Sequence, residues 1–210
     1  MSIKVISPKP SSAIEVPDVS ESATNYSETL LYSAFIPTDT TIINVGNIPE
    51  GYSDIRIKLF NLYKNGNGAG GWGAYINGKN TSGTYAYRVL NLTTGSAYSK
   101  VDGVAATTVA FGYQPNSPLN LFELATNVSS TQMEAVDVDF VVYDHSVIGQ
   151  WKFIRSYAFG SSGKIEHYGY YKGTDAVSTI TMAPVSGSPG IASGQTGAQT
   201  PRIEVYGIVR

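Results

Sequence analysis

Between Ser53 and Tyr63 the chain reads SDIRIKLFNLY, with Ile55, Ile57 and Leu59 on alternate positions and Arg56 and Lys58 between them. A period of two puts one set of side chains on each face of an extended strand, and no helix produces it. Similar short extended runs recur at 30–36 (LLYSAFI), 40–45 (TTIINV), 84–92 (TYAYRVLNL), 107–113 (TTVAFGY), 136–143 (VDVDFVVY), 151–159 (WKFIRSYAF), 177–182 (VSTITM) and 202–209 (RIEVYGIV). Clusters of Gly, Pro, Asn and Asp separate them. Helical spacing never persists for three turns, and SSTQMEAV (129–136) has room for a single turn only. Nine or more short strands between turn signals predict an antiparallel β-sandwich or barrel. In the last run Arg202, Glu204 and Tyr206 should face out, Ile203 and Val205 in, with the strand well inside a sheet.

This pattern spans residues 29–210, a size that one β-sandwich domain commonly reaches. Residues 1–28 differ. They are rich in Ser, Pro and Glu, and Pro8, Pro10 and Pro17 forbid a helix and withhold backbone donors from a central strand. The stretch reads either as a disordered terminus or as an extended N-terminal arm that orders against a partner; the spaced aliphatics Ile3, Val5, Ile6, Ile14 and Val16 favour the arm and are its expected partner-binding residues.

Two glycine motifs come close to nucleotide signatures. Residues 73–80, GAYINGKN, lack only the final Ser or Thr of a P-loop, and residues 66–71, GNGAGG, fit the dinucleotide fingerprint. Both motifs work by presenting a helix N-terminus to phosphate, and here each is followed by a strand-like run. Asn77-Gly78 instead favours two successive positive φ values and predicts a type I′ hairpin between WGAYI and TYAYRVL, with the glycines before it in a long hairpin loop.

Composition narrows the partners. Fourteen basic and sixteen acidic residues leave a formal charge of −2, so no one-sign field favours nucleic acid or a membrane surface. No apolar run approaches the length of a spanning helix. The absence of cysteine rules out disulfides and thiolate metal sites. Charged residues are only 14% of the chain, so much of its polar surface must come from Ser, Thr, Asn, Gly and Tyr. Such a surface suits an extracellular or particle-bound protein in contact with neighbours.

Chemistry-bearing residues are few. A Ser-His-Asp triad would need His145 or His167, and Gly160-Ser161-Ser162-Gly163 has the form of a hairpin turn, not of a nucleophile elbow. Asp137 and Asp139 share one face of a strand, where they read as a solvated outer row rather than as an acid/base pair or a calcium site. Aromatic residues are the sharper signal. Trp72, Tyr75, Tyr85 and Tyr87 surround the glycine-rich stretch and form a candidate glycan-binding set, and Tyr157, Tyr168, Tyr170 and Tyr171 cluster in a later hairpin; the competing reading, favoured for any single residue, is that half of them face the core on alternate strand positions.

The run SDIRIKLFNL followed by YINGKNTSGTYAY, and the closing segment YYKGTDAVSTITMAPVSG…SGQTG…PRIEVYGI, resemble bacteriophage virion structural proteins. The matching positions at the end are Ala176, Val177, Ser178, Thr179 and Ile180, then Tyr206, Gly207 and Ile208. The stretch SGSPGIASGQTGAQTP is longer than that family's usual turn. The resemblance implies a jelly-roll-like fold, location in the virion and a homo-oligomer, a trimer in many members. The expectation is therefore a non-catalytic structural protein without cofactor, metal, nucleic acid or membrane. Its partners would be other virion proteins: the major capsid protein for a capsid decoration (cement) protein, or tail components for a glycan-binding tail-fibre module. No repetitive stalk precedes the domain, which favours the cement role. The arm would lie across neighbouring subunits by strand addition.

Overall fold

The computed structural model describes residues 26–37, 40–65, 70–79, 84–93, 119–124, 136–160, 163–184, 190–192 and 200–210. The expected strand at 107–113, the single turn before Val136, and the arm residues Ile3, Val5, Ile6, Ile14 and Val16 lie outside these. The described strands, in chain order, are β1 (Ser27–Phe35), β2 (Ile43–Val45), β3 (Asp54–Asn65), β4 (Gly70–Ile76), β5 (Tyr85–Thr93), β6 (Leu119–Leu124), β7 (Val136–Val142), β8 (Lys152–Gly160), β9 (Gly163–Tyr171), β10 (Ile180–Pro184), β11 (Gly190–Ala192) and β12 (Arg202–Val209). β1 starts at Ser27, two residues inside the stretch assigned to the arm.

All described pairings are antiparallel. One sheet runs β1-β12-β3-β7-β8-β9-β5, with β11 pairing the far end of β3; the other runs β2-β10-β4-β6. The connectivity is that of a single long hairpin rolled up. β4 pairs β6, β3 pairs β7, β2 pairs β10 and β1 pairs β12, and these pairs fall alternately in the two sheets. Rolling then adds β12 to β3 and β10 to β4. This is a jelly-roll sandwich, and β8, β9 and β5 extend its larger sheet beyond β7.

Burial follows the alternation. Ile55, Ile57 and Leu59 of β3, Val138 and Phe140 of β7, and Ile203 and Val205 of β12 join Trp72, Ala74 and Ile76 of β4 and Ile180 and Met182 of β10 in one buried cluster. β12 is flanked by β1 and β3, and Arg202, Glu204 and Tyr206 stay outside the core. In β3 the phase breaks at Leu59 and Leu62, which are both buried although three residues apart. Asn61 sits between them at φ 54° and its amide donates to Asp137 Oδ1 at 2.7 Å, in a bulge that resets the strand.

Asn77 and Gly78 take φ values of 51° and 65°, and the Lys79 amide closes the turn on the Ile76 carbonyl at 3.0 Å. The turn is as expected, but the hairpin is not. β4 pairs β10 and β6, whereas β5 pairs β9 in the other sheet. Of the glycines upstream, Gly70, Gly71 and Gly73 lie within β4, which belongs to a different sheet from β3, and 66–69 lie outside the described residues. The Asn77 side chain instead holds residues 176–179. Its Oδ1 accepts from the Ser178 amide (2.9 Å), the Ser178 hydroxyl (3.3 Å) and the Thr179 amide (3.2 Å), while Nδ2 donates to the Ala176 carbonyl (2.7 Å). Val177 is tied to the His145 carbonyl at 2.8 Å. With these backbone groups engaged, the strand expected from 177 starts only at Ile180. Gly207 is needed for room: a Cβ there would overlap the Tyr52 ring.

Asn77→Ala removes four side-chain hydrogen bonds and the residue type that best tolerates this turn. It should lower stability by about 2–3 kcal/mol, read as a reduced urea midpoint. Gly207→Ala should cost about 1–3 kcal/mol in the same measurement, because the Tyr52 ring has to move.

Candidate functional site

The glycan set expected around the glycine-rich stretch does not form an exposed site. Trp72 is fully buried, with Ala74 and Ile76 on the same inward row of β4. Tyr85 is also buried; its hydroxyl accepts from the Ile76 amide (2.7 Å) and donates to the Lys79 carbonyl (3.2 Å), and its ring packs on Tyr171 at 5.6 Å. Burial raises the pKa of both Tyr85 and the half-buried Tyr75. Tyr87 pairs with Gly169 in the sheet, and its side chain lies outside the described residues. The spacing Trp72, Ala74, Ile76 already carried the signal: a core row has period two, and this one does.

The polar candidates have structural partners. Asp139 takes a bidentate pair from Arg56 (Nε 2.7 Å, Nη2 2.5 Å), and Asp137 accepts the Asn61 amide. The Asp139 hydrogen bonds raise the Arg56 pKa further, and Glu28 adds to this from β1 at 2.5 Å. Burial alone would raise Glu28, but the Arg56 hydrogen bond and charge hold it below the ordinary carboxylate value. His145 is buried in the turn after β7, its ring nitrogens 3.2 Å from the Ser53 carbonyl and 3.1 Å from the Pro49 carbonyl. His167 faces inward on β9 opposite Ser156, and burial pushes its pKa down to about 4. Lys152 is buried at the start of β8 with Nζ 2.6 Å from the Gln150 carbonyl; burial lowers its pKa, against the pull of Asp175 and Asp144.

What the fold does assemble is an aromatic face on the outside of the larger sheet. β8 alternates so that Phe153, Arg155, Tyr157 and Phe159 point out while Lys152, Ile154, Ser156 and Ala158 point in. On β9, Glu166, Tyr168 and Tyr170 point out while His167, Gly169 and Tyr171 point in. Register places Phe153 opposite Tyr170, Arg155 opposite Tyr168 and Tyr157 opposite Glu166. The rings form a chain: Tyr143 to Phe153 at 5.4 Å, Phe153 to Tyr170 at 5.4 Å in an edge-on contact, Tyr170 to Trp151 at 6.4 Å. Lys172 lies 5.6 Å from the Trp151 ring centre and Arg155 lies 5.8 Å from that of Tyr168. The Tyr168 hydroxyl donates to Glu166 at 2.8 Å. Trp151 is 55% exposed and Tyr170 46%. Of the late tyrosine cluster, Tyr157, Tyr168 and Tyr170 therefore share this face and Tyr171 belongs to the core. Sequence reasoning missed Trp151, Phe153 and Phe159, although they alternate with the inward set.

Edge-on ring pairs and cations over rings hold these side chains in place, so that little rotamer freedom remains to be lost on contact. The face offers π surfaces beside guanidinium, ammonium and carboxylate groups, which suits recognition by stacking and hydrogen bonding. The chain matches no family model and no curated protein sequence.

The depressed pKa of His167 ties stability to pH. The unfolded chain takes up its proton near the ordinary value of 6.5, while the folded chain resists until about 4. The stabilisation is complete above pH ~6.5 and is lost as pH falls toward 4, where the unfolded state holds the extra proton. Unfolding free energy should drop by about 2 kcal/mol between pH 7 and pH 5 through this group. Urea titrations at the two pH values should show that drop in the native protein and a smaller one in His167→Gln.

Proposed function

We propose that this chain is a non-catalytic structural protein of a bacteriophage particle, of the capsid decoration type, which binds the outer shell as a homo-oligomer. The fold alone does not choose a function. The observation that carries the reading is the aromatic face of β7–β9, where Trp151, Phe159, Tyr168 and Tyr170 are left exposed on a flat sheet surface. Aromatic and Arg side chains clustered in this way are typical anchors of protein interfaces. The likeness of the closing segment to virion proteins supplies the setting, and the jelly-roll topology agrees with it.

A second reading is favoured by the same face. Trp151 and Tyr170 flanked by Lys172, Arg155 and Glu166 offer a ring face and hydrogen-bonding groups of the kind that hold a sugar. This is the chemistry of a tail module that binds host glycan, relocated from Trp72 to Trp151.

The double substitution Trp151→Ala, Tyr170→Ala leaves the core rows intact, so the melting temperature should change little. Shell occupancy, counted on purified particles with a labelled protein, should fall tenfold or more. Label spread over the head lattice supports the decoration role. Label at the tail end, with glycan binding lost in the double variant, replaces it with the second reading. Unchanged occupancy in the double variant removes this face from the interface.

A further inference from the structure

At the opposite side of the sandwich the two sheets are not closed against each other. β1 is an edge of the larger sheet and β2 an edge of the smaller. Between them lies a groove of about 800 Å³ whose walls include Tyr32, Phe35, Ile42, Val45, Ile203 and Val205. Tyr32 is the telling residue. Its register partner is Val205, a buried core position, so Tyr32 stands on the inner face of the sheet and yet is 56% exposed. The smaller sheet offers only the three residues of β2 at this edge. Ile42, at 55%, continues the uncovered apolar surface on the β2 side. Among the described residues β1 pairs only with β12, so one of its edges also carries unused backbone donors and acceptors. An apolar groove beside a free strand edge is what an added strand fills: its backbone bonds to the edge and alternate side chains enter the groove.

The chain itself carries a segment of that description. Residues 1–25 precede β1 and include Ile3 and Val5, then Ile14 and Val16, each pair at the spacing that puts two side chains on one face of a strand. Pro17 fits an outermost strand, where one side of the backbone has no partner. Extended, 25 residues reach about 80 Å, beyond the roughly 40 Å width of a domain of this size. Returning onto its own β1 would require a tight reversal within 20–26, which reads SESATNY, without Gly, Pro or an Asn-Gly pair. Two of the chain's tight reversals, Asn77-Gly78 and the one that pairs Gly160 with Gly163, use such residues. We therefore infer that the groove between β1 and β2 receives the N-terminal segment of a second copy of this chain, so that copies link arm to edge. The inference stands apart from the aromatic face and from the nature of the particle.

The absence of native cysteines makes the test specific. Full-length chains carrying only Ile14→Cys, Val16→Cys or Val19→Cys are mixed with full-length chains carrying only Ile42→Cys and treated with a short bis-maleimide. The expected product on a denaturing gel is a linked pair at twice the chain mass from at least one arm position. Tyr32→Glu in the Ile42→Cys partner should reduce it tenfold or more. A chain carrying Val16→Cys and Ile42→Cys together distinguishes the alternative occupant: an internal link at single-chain mass means the arm covers its own groove and overturns the inference. No linked product from any of the three positions overturns it as well.

Discussion

The structure depends on one buried apolar layer between two sheets, and on the two strands at its centre, β3 and β4. Ile55, Ile57 and Leu59 of β3 and Trp72, Ala74 and Ile76 of β4 belong to the same buried cluster, although they lie in different sheets and follow each other in the chain. Burying side chains of this size contributes about 1.5–3 kcal/mol each, and it is lost if either row turns over. A slip of one residue in either strand would expose the whole row. The bulge at Asn61 and the pinned turn at Asn77 are therefore more than local features, since they set the phase in which the rows meet.

The outer surface of the larger sheet divides into two chemistries. Over β1, β12, β3 and β7 it is closed by charge: Glu28, Arg56 and Asp139 form a partly buried network, and Lys58 lies 4.6 Å from the Tyr206 ring centre. Bidentate pairing gives such a network direction as well as energy. Glu28 thereby anchors the start of β1. Over β8 and β9 the same sheet presents rings with charged groups at their margins. One half of the surface is satisfied by ion pairs within the chain, and the other half leaves aromatic area exposed.

The residues of the closing segment that the sequence reading singled out have architectural positions. Ala176, Ser178 and Thr179 are bound by the Asn77 side chain, Ile180 is buried at the start of β10, and Gly207 leaves space for the Tyr52 ring. A motif of this kind marks how a sandwich is closed. The β8–β9 face and the β1–β2 groove draw on the same segment, through Tyr170 and Lys172 in one case and Ile203 and Val205 in the other, but each is completed by residues distant in sequence.

The alternation in residues 53–59 and 202–206 was enough by itself to determine strands, their buried faces and an all-β sandwich, because a period of two has one structural meaning. The same rule made Trp72 readable as a core residue, since Ala74 and Ile76 share its row. Asn77-Gly78 likewise determined its own turn through the φ values the two residues tolerate. Which strands that turn connects was settled only in three dimensions: β4 and β5 separate into different sheets because β10 and β9, distant in sequence, bond to them. The aromatic face arises in the same way, from Trp151 and Phe153 lying beside Tyr170 across a strand pair. Local sequence specifies which way each side chain points; long-range register decides which side chains become neighbours, and a recognition surface is made of neighbours.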